Sequence, residues 1–96
     1  MKPRISSRHG TISQKTKEHI DKSCTKLEYY SDRIMDCEVV LDKTKRGDKV
    51  EIIVKVPQST FASSVTGENL YKALAGAGNK IQTQLKKHHD KLVSHH

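Results

Sequence analysis

Two rows of lysines are the side chains of this sequence that could do chemistry together. Within each row the lysines are seven and then four residues apart, so an α-helix would carry them on one side. Ammonium groups held in a row can bind a polyanion such as a nucleic-acid backbone. The plainer alternative is a solvated charged surface. The same lysine spacing occurs in two segments, however, and this repetition favours nucleic-acid binding. The rows are Lys15, Lys22 and Lys26 in one segment and Lys80, Lys87 and Lys91 in the other.

The net charge is unevenly distributed along the chain. The 96 residues include 18 Lys and Arg against 11 Asp and Glu, a formal charge of +7. Residues 1–33 contain eight basic and four acidic residues, residues 34–67 five of each, and residues 68–96 five and two. The excess therefore lies in the two segments that carry the lysine rows. We expect one domain over residues 1–96, with a nucleic acid or another anionic surface as its partner.

No pattern of catalytic residues is present in the sequence. It lacks a glycine-rich phosphate loop, a GxSxG elbow and an HExxH pair. Cys24 and Cys37 fall on or beside apolar stretches, where packed, reduced thiols of a cytosolic protein are expected. No apolar run approaches the roughly 20 residues of a membrane span. We therefore expect a non-enzymatic cytoplasmic protein with no cofactor, no small-molecule substrate and no membrane partner.

Histidines and aromatic residues suggest weaker alternatives. His88, His89, His95 and His96 crowd the C-terminus. Adjacent residues diverge on a helix, whereas a zinc site needs converging ligands, so no metal site is predicted. A metal- or pH-responsive interaction protein stays open as a hypothesis, which a zinc titration after deletion of residues 94–96 would test. Only Tyr29 is clearly an outward aromatic residue, so the backbone of folded RNA is favoured over stacked single-stranded bases.

The spacing of apolar residues predicts six elements in the order β-α-β-β-β-α. Strands show a two-residue alternation, and helices recur every three and four residues. The fold class is α+β: a four-stranded sheet whose last three strands form an antiparallel meander, with both helices on one face and the other face open to solvent. Polar residues 43–48 are predicted to form a hairpin loop, and Thr11 and Gln14 have capping-box spacing. The elements are a strand over 2–7, a helix from Thr11 or Ser13 to Tyr30, strands over 34–42, 49–56 and 61–66, and a helix over 67–96.

Short motifs follow one another from end to end of the chain. They are Ser7-Arg8-His9, Lys26-Leu27-Glu28-Tyr29-Tyr30, Phe61-Ala62-Ser63-Ser64, Gly67-Glu68-Asn69-Leu70-Tyr71 and Gln84-Leu85-Lys86-Lys87-His88. In this order and spacing they resemble the ribosome hibernation promoting factor family, which includes YfiA/RaiA and the sigma-54 modulation proteins.

The resemblance implies a fold like that of double-stranded-RNA-binding domains and a role in ribosome hibernation. Such a protein would bind 16S rRNA of the small (30S) ribosomal subunit, compete there with mRNA and tRNA, and stop translation in stationary phase or stress. The chain looks like the short type, which favours inactive 100S ribosome dimers. A YfiA/RaiA-like inhibitor that blocks the A and P sites without dimerising ribosomes is the first alternative, and a general duplex-RNA-binding module is the second.

The candidate rRNA-binding residues combine the lysine rows with positions taken from the resemblance. The resemblance implies a role for Arg8, and it agrees with Lys26 of the first row and with all three lysines of the second. Thr83 and Ser23 stand where the family usually has basic residues. Gly76 and Gly78 are expected to loosen the middle of the last helix, because a helical glycine costs roughly 0.5–1 kcal/mol relative to alanine. The candidate residues are Arg8, Lys15, Lys22, Lys26, Lys80, Lys86, Lys87 and Lys91.

Overall fold

In the computed structural model of the chain, two helices cover one face of a four-stranded sheet. The structure describes residues 3–29 and 33–93, and it describes only the backbone of residues 89–93. The predicted element order and the α+β class are confirmed. None of the described helices is long and apolar enough to cross a membrane. The elements are β1 (Arg4–Ser7), α1 (Gln14–Leu27), β2 (Asp36–Thr44), β3 (Gly47–Val56), β4 (Ser59–Gly67) and α2 (Leu70–Val93).

The strands lie in the order β1-β2-β3-β4. As predicted, β2, β3 and β4 form an antiparallel meander. The first strand joins the sheet by pairing parallel to β2, with Ile5 opposite Val39. A parallel pair needs a crossover connection, and α1 provides it. Strands β1 and β4 run in the same direction, and each is followed by a helix that returns over the sheet. The helices α1 and α2 therefore run parallel to each other.

The core lies between the helices and one face of the sheet. Alternate residues of β2 and β3 point towards the helices, which confirms the predicted open face on the other side. Ser63 is the buried polar residue of this layer, and its hydroxyl donates a hydrogen bond to the carbonyl oxygen of Ala77 at 2.8 Å. The buried apolar residues are Ile20, Cys24, Leu27, Cys37, Val39, Leu41, Val50, Ile52, Val54, Val56, Ala73, Leu74, Ala77, Ile81 and Leu85.

Side-chain caps fix where the two helices begin. Ser13, one of the two predicted starts, caps α1, because its hydroxyl oxygen accepts a hydrogen bond from the Thr16 backbone N–H at 3.1 Å. The predicted Thr11–Gln14 capping box is wrong, since Gln14 is already the first helical residue. In the second helix, Asn69 Oδ1 accepts from the Lys72 N–H at 2.9 Å. Helix α2 therefore begins at Leu70, later than the predicted 67.

Helix α1 also ends earlier than predicted. Its last residue is Leu27, whereas the sequence pattern extended the helix to Tyr30. Tyr30 itself lies outside the described residues. Cys24, expected at the margin of the apolar face, is 1% exposed and belongs to the core.

The hairpin between β2 and β3 is tighter than the sequence predicts. The predicted loop over 43–48 is wrong, because Lys43 pairs with Asp48 and Thr44 with Gly47, leaving only Lys45 and Arg46 in the turn. Strand ends in solvent are as polar as loops, so composition could not separate them. At Gly47 φ is 134°, and an added Cβ would lie 2.2 Å from the carbonyl oxygen of Gly67, so this close crossing requires glycine.

Helix α2 packs closely on β4 through small residues. A Cβ added at Gly76 would lie 3.0 Å from Val65 Cγ1, whereas one added at Gly78 would meet nothing within 4 Å. Buried Ala73 and Ala77 complete this small surface. The helix is continuous through both glycines. The expected loosening of its middle stays a prediction.

Candidate nucleic-acid interface

The lysine row of α1 lies on the exposed surface of that helix, on the side nearer to the second helix. Ile20, Cys24 and Leu27 hold α1 on the core, and Lys15, Lys22 and Lys26 are exposed. His19 lies on the same side of α1 as the row. Its ring meets that of Tyr71, in the first turn of α2, edge-on with centroids 4.7 Å apart. The row therefore lies towards the groove between the helices.

The lysine row of α2 follows the β4 edge of the sheet. Gly76 lies over Val65, since an added Cβ there would be 3.0 Å from Val65 Cγ1. Gln84 Nε2 donates a hydrogen bond to the Ala62 carbonyl oxygen at 3.1 Å. Exposed Lys80 lies one helical turn from each of these contacts and on the same side of the helix. Lys87 is exposed and continues the row. The side chain of Lys91, the third member, lies outside the described part of the chain.

Each lysine row lies on the same side of its own helix, but the two rows are not next to each other. Both have the cations on the same hand of the apolar face, and the two helices are parallel. One row therefore faces the groove between the helices, and the other faces the outer margin of the molecule, with α2 between them. Both rows lie on the helical side of the sheet, so a polyanion laid across the helices could reach both.

Lys86 lies on the surface of α2 that points away from the sheet. It is exposed and lines a shallow depression of about 260 Å³ with Asn79, Gln82 and Thr83. This surface lies between the two rows. Thr83 is uncharged, so the part of this surface next to it is polar without adding positive charge.

Arg8 lies apart from both rows, at the end of the sheet where the two helices begin. Its backbone N–H donates to the Leu41 carbonyl oxygen at 2.9 Å. The guanidinium Nη1 is 3.9 Å from Asp42 Oδ2, and His9 Nε2 is 3.0 Å from Asp42 Oδ1. Exposed contacts of this kind contribute little stability. A phosphate bound by Arg8 would have to compete with the Asp42 carboxylate, and no local sequence signal brings these residues together.

The open face of the sheet carries charge of both signs. Asp36 lies opposite Lys55, and Asp42 lies opposite Lys49. The Arg4 guanidinium forms a hydrogen-bonded salt bridge with Asp36. The hydrogen bonding from Arg4 lowers the pKa of the Asp36 carboxyl below its usual value. Cross-strand pairing of this kind neutralises a surface locally. Most of the excess of basic over acidic residues therefore lies on the helices.

The cysteines are packed as predicted. Cys24 Sγ and Cys37 Sγ lie 3.5 Å apart, both thiols are free, and both residues are buried. The hydrogen bond between the thiols and burial raise the pKa of Cys24, so that sulfur is a poor nucleophile at neutral pH. Among the described side chains, no three His, Cys, Asp or Glu residues are grouped so as to hold a metal ion.

Fold and surface together define a small α+β domain with one basic helical side. The sequence model of the family described as Sigma 54 modulation protein / S30EA ribosomal protein matches residues 4–93, and the chain belongs to this family.

Relatives and a solved structure are similar to nearly the whole chain. A ribosome hibernation promoting factor of Escherichia coli strain K12 is 32% identical over 95 residues, covering 99% of this chain and 100% of that protein. One from Pseudomonas putida is 27% identical over 94 residues, covering 98% and 92%. The structure of a ribosomal subunit interface protein from Coxiella burnetii has a TM-score of 0.86 at 23% identity, covering 94% and 99%, a likeness of fold.

Proposed function

We propose that this chain is a ribosome hibernation factor. It binds the small (30S) ribosomal subunit in the channel for mRNA and tRNA, contacts the 16S rRNA backbone, competes with both ligands and so inhibits translation. Family membership and relatives named for ribosome hibernation, matched over nearly their full length, support this function. The observation that carries it is the placement of both lysine rows on the helical side of the sheet.

Binding is expected to be electrostatic. Each lysine that neutralises a phosphate releases a condensed counterion, so affinity falls steeply with salt. If six to ten phosphates are neutralised, affinity should drop about 10³–10⁵-fold between 50 and 200 mM salt. Rigid helices suit this task because their lysines are positioned before binding.

A pelleting assay with purified small subunits tests the proposal. The variant Lys80→Glu/Lys87→Glu reverses two cations of the α2 row and should weaken binding by about 10²-fold or more, with a shallower salt dependence. The control Lys45→Glu/Arg46→Glu makes the same charge change in the exposed β2–β3 turn and should bind almost as the parent protein does. Binding that ignores both salt and the helical reversal would contradict the proposal.

Two further measurements separate the alternatives. Competition with tRNA or mRNA for the subunit distinguishes a channel-binding factor from a general duplex-RNA-binding module, which would show no competition. Sucrose-gradient profiles distinguish the two hibernation modes. The short type should produce a 100S peak, whereas a YfiA/RaiA-like inhibitor should leave ribosomes undimerised.

A further inference from the structure

The edge strand β4 is long, uncharged and next to the α2 lysine row. It pairs with β3 on one side, and within the described chain no strand pairs with its other side. Its nine residues, STFASSVTG, include five hydroxyl side chains and no acidic or basic one. Natural edge strands are usually protected by charged residues or proline. An edge without either is open to a ligand.

The hydrogen-bond register shows which groups point outward. In an antiparallel pair, alternate residues direct their backbone N–H and C=O towards the partner strand and away from it. The Ala62 carbonyl oxygen accepts from Gln84 of α2, so it points away from β3. Thr60, Ser64 and Thr66 share the phase of Ala62 and are exposed. Each therefore offers a backbone N–H at the edge and a hydroxyl on the open face.

Lysines border this edge on its helical side. Lys80 lies between the Gly76 contact with Val65 and the Gln84 contact with Ala62, so it stands beside the middle of β4. Lys87 precedes His88, whose ring lies 5.3 Å from that of Phe61. This row therefore runs along the edge from about Ser64 towards Thr60.

Neighbouring residues of β3 border the hydroxyls on the open face. Lys55 is opposite Thr60 and Lys49 is opposite Thr66, while Glu51 is opposite Ser64. Directly opposed side chains have Cβ atoms about 4.5–5.5 Å apart. Both ends of the hydroxyl row therefore have a lysine beside them, and its centre has one carboxylate.

We infer that the β4 edge binds the phosphate backbone of RNA together with the α2 lysine row. This inference rests on the proposed function and adds to it a second set of contacts. Backbone N–H groups and Ser or Thr hydroxyls are common donors to phosphate oxygens. A second copy of this chain is the other occupant that an edge strand could take. Antiparallel pairing of two β4 edges would bring two α2 lysine rows together, and their repulsion favours the polyanion.

The test compares two serines on opposite edges of one sheet. Ser64→Glu places a carboxylate on β4, and Ser6→Glu places the same carboxylate on β1, where the residue is also exposed. In the small-subunit pelleting assay, Ser64→Glu should lose roughly tenfold in affinity and lower the salt slope by about one. Ser6→Glu should bind as the parent protein does. Thr60→Val/Thr66→Val removes only hydroxyls from residues that suit a strand, and should lose about two- to fivefold.

Each other result overturns the inference in a distinguishable way. If the two serine variants bind alike while Lys80→Glu/Lys87→Glu still releases the subunit, the edge is unused and the proposed function stands. If the parent protein does not bind the subunit, the proposed function fails and the edge contact fails with it. If light scattering shows a dimer that Ser64→Glu dissociates without any change in subunit binding, the edge pairs with a second copy.

Discussion

The two faces of the sheet differ in how their charge is balanced. The helices on one face carry nine lysines against three acidic residues, so they account for six of the seven net positive charges of the chain. Among the described strand residues, the open face carries four acidic residues and three basic ones. They are Asp36, Glu38, Asp42 and Glu51, with Arg4, Lys49 and Lys55. A net charge of +7 therefore describes one side of this protein, and the total hides a nearly neutral opposite side.

Burial divides the same two faces. Ile52 and Ile53 are neighbours in β3, but Ile52 points under the helices and is 1% exposed, whereas Ile53 lies half-buried on the open face. Successive strand residues alternate between faces, so one position separates the core from solvent. The helical side thus supplies both the apolar core beneath and the cations above.

The largest expected effect is on the free energy of unfolding, and it should differ between these two isoleucines. Ile52→Ala should lower the free energy of unfolding by roughly 2–5 kcal/mol, because it leaves a cavity in the core. Ile53→Ala should cost about 1 kcal/mol or less, since only packing against neighbouring strands is lost. Urea unfolding followed by circular dichroism measures both. Ile52→Val, at about 0.5–1.5 kcal/mol, is the milder variant if the alanine protein does not fold. Equal losses at the two positions would show that the two faces of the sheet do not differ in burial.

The two glycines of α2 differ in how closely they pack on the sheet. Gly78→Ala should raise the free energy of unfolding by about 0.5–1 kcal/mol, because the new methyl group meets open space and helix propensity improves. Gly76→Ala should lose part or all of this gain, since its methyl group would press on Val65. A gain of 1 kcal/mol shifts the Tm of a domain this size by about 4–8 °C, which thermal denaturation resolves. A more stable Gly76→Ala protein would show that α2 is not packed tightly on β4.

The smallest expected effect is on the open face. Arg4→Gln removes the guanidinium whose hydrogen bonds lower the pKa of Asp36, so that pKa should rise in the variant. A carboxyl with a lowered folded-state pKa stabilises the protein above its unfolded-state pKa, and this contribution is lost as the pH falls through the lowered value. The parent and variant should therefore differ slightly in stability near neutral pH and converge in acid. NMR titration of Asp36 measures the shift. An unchanged pKa in the variant would show that Arg4 does not lower the pKa of Asp36.

The elements and their faces could be predicted because their signals are local. The alternation of Val50, Ile52 and Val54 indicates a strand, and the recurrence of Leu74, Ile81 and Leu85 indicates one face of a helix. The spacing that predicted two lysine rows on the same hand agrees with the structure. Each of these patterns needs only neighbouring residues.

Other features depend on contacts between distant segments. The parallel pairing of β1 with β2 could not be seen in Arg4–Ser7 alone. The tight hairpin could not be predicted either, because a glycine is needed at position 47 only where the backbone of Gly67, in another strand, passes close to it. The direction that each lysine row faces depends on which element lies beside its helix. The β4 edge was missed because an uncharged strand carries no signal until its neighbours are known.

The buried thiol pair can be used to measure how often the first helix separates from the sheet. Cys24 belongs to α1 and Cys37 to β2, and each is 1% exposed, so a thiol-reactive dye can reach them only when the helix lifts from the sheet. The labelling rate in native buffer then measures the free energy of that local fluctuation. Comparing it with the global free energy of unfolding would show whether the first helix moves alone or only with the whole domain.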